Sequence, residues 1–107
     1  KITVYGNGAR WQDYLHVDDL VDLCVIAGKK GGNHTVIAAT GKSYSNKILA
    51  ETIAQQIPGT AIEYFGEDSS ASFEFDVTAT IDRYQWHATT NFETGLKNYI
   101  QHANSGL

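Results

Sequence analysis

Between residues 10 and 30 the hydrophobic pattern of the chain changes period with no linker between the two halves, and this constrains the fold most. From Arg10 to Val17 polar and apolar residues alternate. On a strand, side chains two apart share a face, so Arg10, Gln12, Tyr14 and His16 point one way. Trp11, Asp13, Leu15 and Val17 point the other, toward the core except for Asp13. Directly afterwards Leu20, Val21, Leu23, Cys24 and Ala27 recur at helical spacing. Asp18 and Asp19 stand where an N-cap and the helix dipole favour acid, and Lys29-Lys30-Gly31-Gly32 is the matching stop. A strand feeding straight into a capped helix is the repeating unit of α/β architecture.

The rest of the chain follows the same grammar. Ile2 to Tyr5 reads as a strand stopped by the turn Gly6-Asn7-Gly8. Thr35–Ala39 reads as a short strand, Thr40–Ser43 as a loop, and Ser43 or Ser45 as the cap of a helix. Ile48, Leu49, Ile53 and Ile57 form one face of that helix, and Pro58-Gly59 ends it. Ala61–Phe65 is an expected strand, residues 66–72 a polar loop, Phe73–Val77 a further strand, and Asp82–Trp86 a single helical turn. Thr90-Asn91-Phe92-Glu93 has the spacing of a capping box with Thr90 as cap. Phe92, Leu96, Tyr99, Ile100 and Ala103 give the last helix its apolar stripe. The expected fold class is α/β (α+β if taken in isolation), a small mixed sheet with about three main helices in one domain, 1–107.

Composition narrows the function. A net charge of −4 argues against a nucleic-acid module, which needs cations to neutralise phosphates. One cysteine, Cys24, excludes an intrachain disulfide and a cysteine-based zinc site, and its place on the apolar helix face suggests a small core thiol. No apolar run reaches the roughly 20 residues of a membrane span, and no secretory leader opens the chain. A cytoplasmic setting is expected. The 107 residues include no Met and open inside an extended segment, so a fragment of a longer protein is expected.

Chemical motifs are sparse. Gly6-Asn7-Gly8 would need its third glycine at Trp11, and it precedes a strand where a phosphate loop needs a helix N-terminus. Thr40-Gly41-Lys42-Ser43 lacks the leading glycine of a P-loop. His16, Asp18 and Asp19 suit helix capping better than a metal, and no serine lies in a Gly-x-Ser-x-Gly elbow. No metal site and no catalytic or cofactor-binding residue is expected within the chain. The Arg10, Gln12, Tyr14, His16 face remains: a permanent cation, an amide, a phenol and an imidazole that could grip an anionic, hydroxyl-rich ligand, or a solvated strand face.

Ile2-Thr3-Val4-Tyr5-Gly6-Asn7-Gly8 followed by Gln12-Asp13-Tyr14-Leu15-His16-Val17-Asp18-Asp19-Leu20 resembles the C-terminal part of extended short-chain dehydrogenases/reductases, the NAD-dependent sugar-nucleotide epimerases and dehydratases. Gly41-Lys42-Ser43-Tyr44-Ser45, Asp76-Val77-Thr78 and Trp86-His87 through Phe92-Glu93-Thr94-Gly95-Leu96 resemble later blocks of that family in the same order. The resemblance implies a substrate-binding domain lacking its Rossmann half. The parent protein would use NAD or NADP on a nucleotide sugar or related small molecule, and the isolated piece would not catalyse. The family's Gly-x-x-Gly-x-x-Gly loop and Tyr-x-x-x-Lys pair are not in this sequence: no lysine follows a tyrosine by four positions.

The sequence also departs from the family pattern. Gln12 stands where an arginine commonly meets the substrate diphosphate, and Gly66-Glu67-Asp68 supplies acid where a second arginine is usual. A neutral amide does not make the bidentate, charge-assisted bonds that select a diphosphate. Arg10, two residues away on the same face, is the expected substitute. Gln85 replaces a glycine and Ala88 a proline. Two further readings stay open: a non-enzymatic, dinucleotide-sensing relative, and a self-standing binding domain. Apolar surface bared without a partner domain predicts a homo-oligomer or a swapped dimer.

Overall fold

A computed structural model describes residues 1–105. In chain order the elements are β1 (Ile2–Tyr5), β2 (Trp11–Asp13), α1 (Val17–Lys30), β3 (Ser43–Ser45), α2 (Asn46–Gln56), β4 (Ile62–Phe65), α3 (Thr78–Tyr84) and α4 (Phe92–Asn104). The fold is α/β. Both pairings expected of a mixed sheet occur, in two short ladders. β1 and β4 run parallel in the register Ile2↔Ile62 to Tyr5↔Phe65, while β2 and β3 run antiparallel with Trp11↔Ser45 and Asp13↔Ser43. Parallel neighbours need a crossover, and α2 supplies it, packing against β1, β4 and β3.

The core is small. Leu23, Tyr84 and Trp86 are buried together, with Leu15, Ile26, Ala27, Val36 and Ala88 packed around them. Burying Leu23 is worth about 2 kcal/mol, and the aromatic pair adds the larger areas. Trp86 Nε1 donates to the Asp19 carbonyl oxygen at 3.1 Å, so the indole fixes the first turn of α1 while filling the core. Only one stripe of α1 is covered. Val17, Val21 and Val25 are more than half exposed. Cys24 is exposed as well, correcting its expected place as a core thiol. The apolar surface of α1 is wider than the narrow face that α3 and Trp86 cover.

Several local expectations shift. The alternating segment 10–17 is a strand only over β2, because β3 pairs with just three of its residues; β3 itself falls where the sequence predicts the end of a loop and a helix cap. Val17 and Trp11 are exposed, so the face expected to be core is core only at Leu15. The cap of α1 is His16, whose Nδ1 accepts the Asp18 N–H at 3.1 Å, and not an aspartate. Residues 35–39 and 73–77 run without a strand ladder, although the Phe73 N–H donates to the Trp11 carbonyl of β2 at 3.3 Å: β propensity alone does not make a strand. The expected turn at 82–86 is instead α3, which begins at Thr78. Asn91, and not Thr90, caps α4 through the Thr94 N–H at 2.8 Å. The expected Ser45 cap of α2 is present, accepting from the Ile48 N–H at 3.1 Å.

Candidate functional site

The junction of β3 and α2 organises the site. Asn46, the first residue of α2, donates its backbone N–H to the Arg10 carbonyl at 2.8 Å. Its side-chain Oδ1 accepts from Gln12 Nε2 at 3.0 Å and from the Tyr14 hydroxyl at 3.1 Å. Alternation along the strand therefore does what the sequence implied: Gln12 and Tyr14 meet on one side, and Asn46 joins them across 32 or more residues of chain. Burial pushes the Tyr14 phenol above its ordinary range, and the Arg10 charge pulls it back only in part. Tyr14 is thus a neutral donor at neutral pH.

Arg10 opens onto a cavity of about 540 Å³ between β1, α2 and the loop that follows β4. Thr3, Tyr5, Asn46, Leu49 and Asp68 are among its walls. Arg10 Nε lies 3.5 Å from Asp68 Oδ2, and that Nε is buried with no hydrogen-bond partner. Asp68 is in turn held by the loop: its Oδ1 accepts the Ser70 N–H at 2.9 Å. Hydrogen bonds from Ser70, and secondarily the Arg10 charge, keep its carboxyl below the usual range despite some desolvation.

His16 belongs elsewhere. It lies with Tyr14, Phe92, Leu96, Tyr99 and His102 around a second, more apolar cavity of about 640 Å³ beside α4. Gly95 allows the approach, since a Cβ there would come 3.2 Å from His16 Cδ2. Tyr44 stacks on Phe92 with ring centroids 4.2 Å apart and Tyr14 leans on the same ring at 5.8 Å. The structure brings Arg10, Gln12 and Tyr14 to Asn46 and places His16 with α4.

The sequence reading missed the partners of three side chains, Asn46, Asp13 and Asp19. Asn46 gave no signal, being hidden behind a helix cap. Asp13 did give one, as the lone charge on a face read as core. Its carboxylate accepts the Thr40 N–H and hydroxyl and the Gly41 N–H, each at 2.9 Å, clamping β2 to the loop before β3. Asp19 is 3% exposed and accepts from Thr89 N–H (3.3 Å), Thr89 Oγ1 (3.0 Å) and Thr90 N–H (3.0 Å).

The Gly6-Asn7-Gly8 turn does not fit a dinucleotide. Cβ atoms placed on Gly6 and Gly8 would each come 2.9 Å from atoms of Asp68 and Lys47, so these glycines accommodate the chain's own loop and helix and cradle no phosphate. The turn they form leads into β2. Among the described residues no three His, Cys, Asp or Glu gather as a metal site, and no helix is long and apolar enough to cross a membrane.

No family model matches the sequence, and neither does any curated protein. Solved structures do match. The Helicobacter pylori ADP-L-glycero-D-manno-heptose-6-epimerase superposes with a TM-score of 0.90 at 14% identity, covering 98% of this chain and 33% of that one. UDP-glucose 4-epimerase from Thermotoga maritima, solved with UDP-glucose, matches at 0.86 and 22% identity over 98% of this chain and 36% of its own. The Bacillus anthracis dTDP-glucose 4,6-dehydratase, in complex with NAD, matches at 0.86 and 21% identity over 99% and 35%. The chain spans about a third of the length of these structures. It therefore has the fold of one part of the NAD-dependent epimerases and dehydratases of the extended short-chain dehydrogenase/reductase type.

Proposed function

We propose that this chain is the substrate-binding domain, spanning residues 1–107, of an NAD(P)-dependent sugar-nucleotide epimerase or dehydratase and is not catalytic alone. The observation that carries the reading is the near-complete coverage of the chain by structures of such enzymes, one of them holding UDP-glucose. The nicotinamide chemistry would belong to residues outside this chain; the Gly6-Asn7-Gly8 turn is filled by the chain's own loop and helix. What this chain contributes is binding and orientation. Arg10 offers a permanent cation on the cavity wall, where low dielectric and a planar donor fork favour an anionic group. Gln12 and Tyr14, pinned to Asn46, line up amide and phenol for sugar or ribose hydroxyls without an entropic cost at binding. His16, beside the second cavity that Tyr14 also lines, would extend the polar surface toward α4.

Replacing Arg10 by Ala in the full-length protein should weaken UDP-glucose binding by roughly tenfold or more, the cost of one charge-assisted contact. The melting temperature should hardly move, because a partly exposed ion pair contributes under about 1 kcal/mol. An unchanged dissociation constant in calorimetry would remove Arg10 from the site.

A further inference from the structure

We propose that Asp68 is an intramolecular counter-anion: its carboxylate occupies the place on the Arg10 guanidinium that an anionic group of the ligand takes, and so sets the affinity of the cavity for that ligand. This rests on the reading that Arg10 faces the ligand. Among the residues lining the cavity Arg10 is the one cation, facing two carboxylates, Glu67 and Asp68. The Arg10–Asp68 contact, at 3.5 Å, is well beyond the roughly 2.7–2.9 Å of a charge-assisted hydrogen bond, and Arg10 Nε remains buried without a partner. The carboxylate neutralises the guanidinium but leaves its Nε without a hydrogen bond, whereas a phosphoryl group could accept from two guanidinium donors at once.

The local geometry lets the two charges part while the loop stays. The Asp68 backbone is pressed on the Gly6 turn, where a Cβ would lie 2.9 Å from the Asp68 nitrogen; Gly6 has φ +67°, which suits glycine. The Ser70 N–H holds one carboxylate oxygen in a side-chain turn that does not need Arg10. With Oδ1 tethered to Ser70, the untethered partner is the Arg10 side chain, which can swing from Oδ2 toward a ligand without unfolding the turn. Glycine at 6 and the acid at 68 act together: the first allows the close approach, and the second uses it to set a negative charge beside the cation.

The test is calorimetric titration of inorganic pyrophosphate into the full-length protein and its Asp68→Asn, Arg10→Ala and doubly substituted variants. Asparagine keeps an acceptor for the Ser70 N–H, so the turn persists. The expected result is pyrophosphate binding about three- to fivefold tighter in D68N, the range set by removing one partly exposed competing ion pair. R10A should lose binding, and the double variant should show no gain. Arg10-dependent binding that is unchanged or weaker in D68N overturns the counter-anion role alone. Equal binding by the parent and R10A, or none by the parent and D68N, overturns the ligand-facing role of Arg10 and this proposal with it.

Discussion

At the residue scale, buried carboxylates hold the chain together, each doing so by collecting several donors. Burial alone would raise the Asp19 carboxyl. The N–H groups of Thr90 and Thr89 and the threonine hydroxyls outweigh that, and the net shift is downward. A depressed native pKa means that the charged form is favoured by folding. This stability is present above the unfolded value near 3.9 and is lost as pH falls through the lower native value. Asp19→Asn exchanges one acceptor for a donor facing the Thr90 N–H and should cost about 2–3 kcal/mol at pH 7. Urea melts from pH 7 down to pH 2 should show the variant's deficit shrinking below about pH 4; a deficit constant across that range would deny the charge its role. Residues of this kind are only half legible in sequence. Asp13 betrayed itself by interrupting an apolar face, while Asp19 looked like an ordinary helix-start acid because its partners lie some 70 positions away.

At the scale of elements, what the chain encodes locally was readable and what it borrows was not. The extent of α1, the Ser45 cap of α2 and the β1 and β4 strands follow from propensity and capping chemistry within a few residues. Residues 35–39 and 73–77 carry strand-forming side chains yet have no ladder, since pairing depends on an edge elsewhere. β3 was the reverse case: Ser43-Tyr44-Ser45 has weak propensity and becomes a strand because β2 lies alongside. The end of α3 carries a cost the sequence had flagged. Gln85, standing where the family resemblance leads one to expect glycine, caps it in the left-handed region with φ 48° and ψ 38°. Gln85→Gly should stabilise the protein by about 0.5–1 kcal/mol, raising its melting temperature by a few degrees. A lower melting temperature would mean that the Gln85 side-chain bond to the Asp82 carbonyl outweighs the backbone strain.

At the scale of the molecule, the shape is that of a slab. Its extents are 47 × 35 × 19 Å and its radius of gyration is 16.2 Å, against about 13 Å for a compact chain of this length. The accessible surface of 7381 Å² likewise exceeds the roughly 5,900 Å² expected for its mass. Val17, Leu20, Val21 and Val25 on one helix, and Tyr5, Tyr64 and Phe65 on the strand pair, account for much of the apolar excess. Surfaces of this kind rarely stay bare. The 107 residues alone should self-associate, as a dimer or by swapping an element, with a mass in light scattering that rises with concentration; a monomer at every concentration would contradict this.

The account as a whole rests on the chain being the substrate-side part of a larger catalyst, and the encoding reading frame tests that most directly. Sequencing it should reveal, upstream of Lys1, a glycine-rich dinucleotide loop and a Tyr-x-x-x-Lys pair, within a chain about three times as long, as the one-third coverage of the matching structures implies. A frame encoding these 107 residues alone would contradict the account and leave a self-standing binding domain in its place.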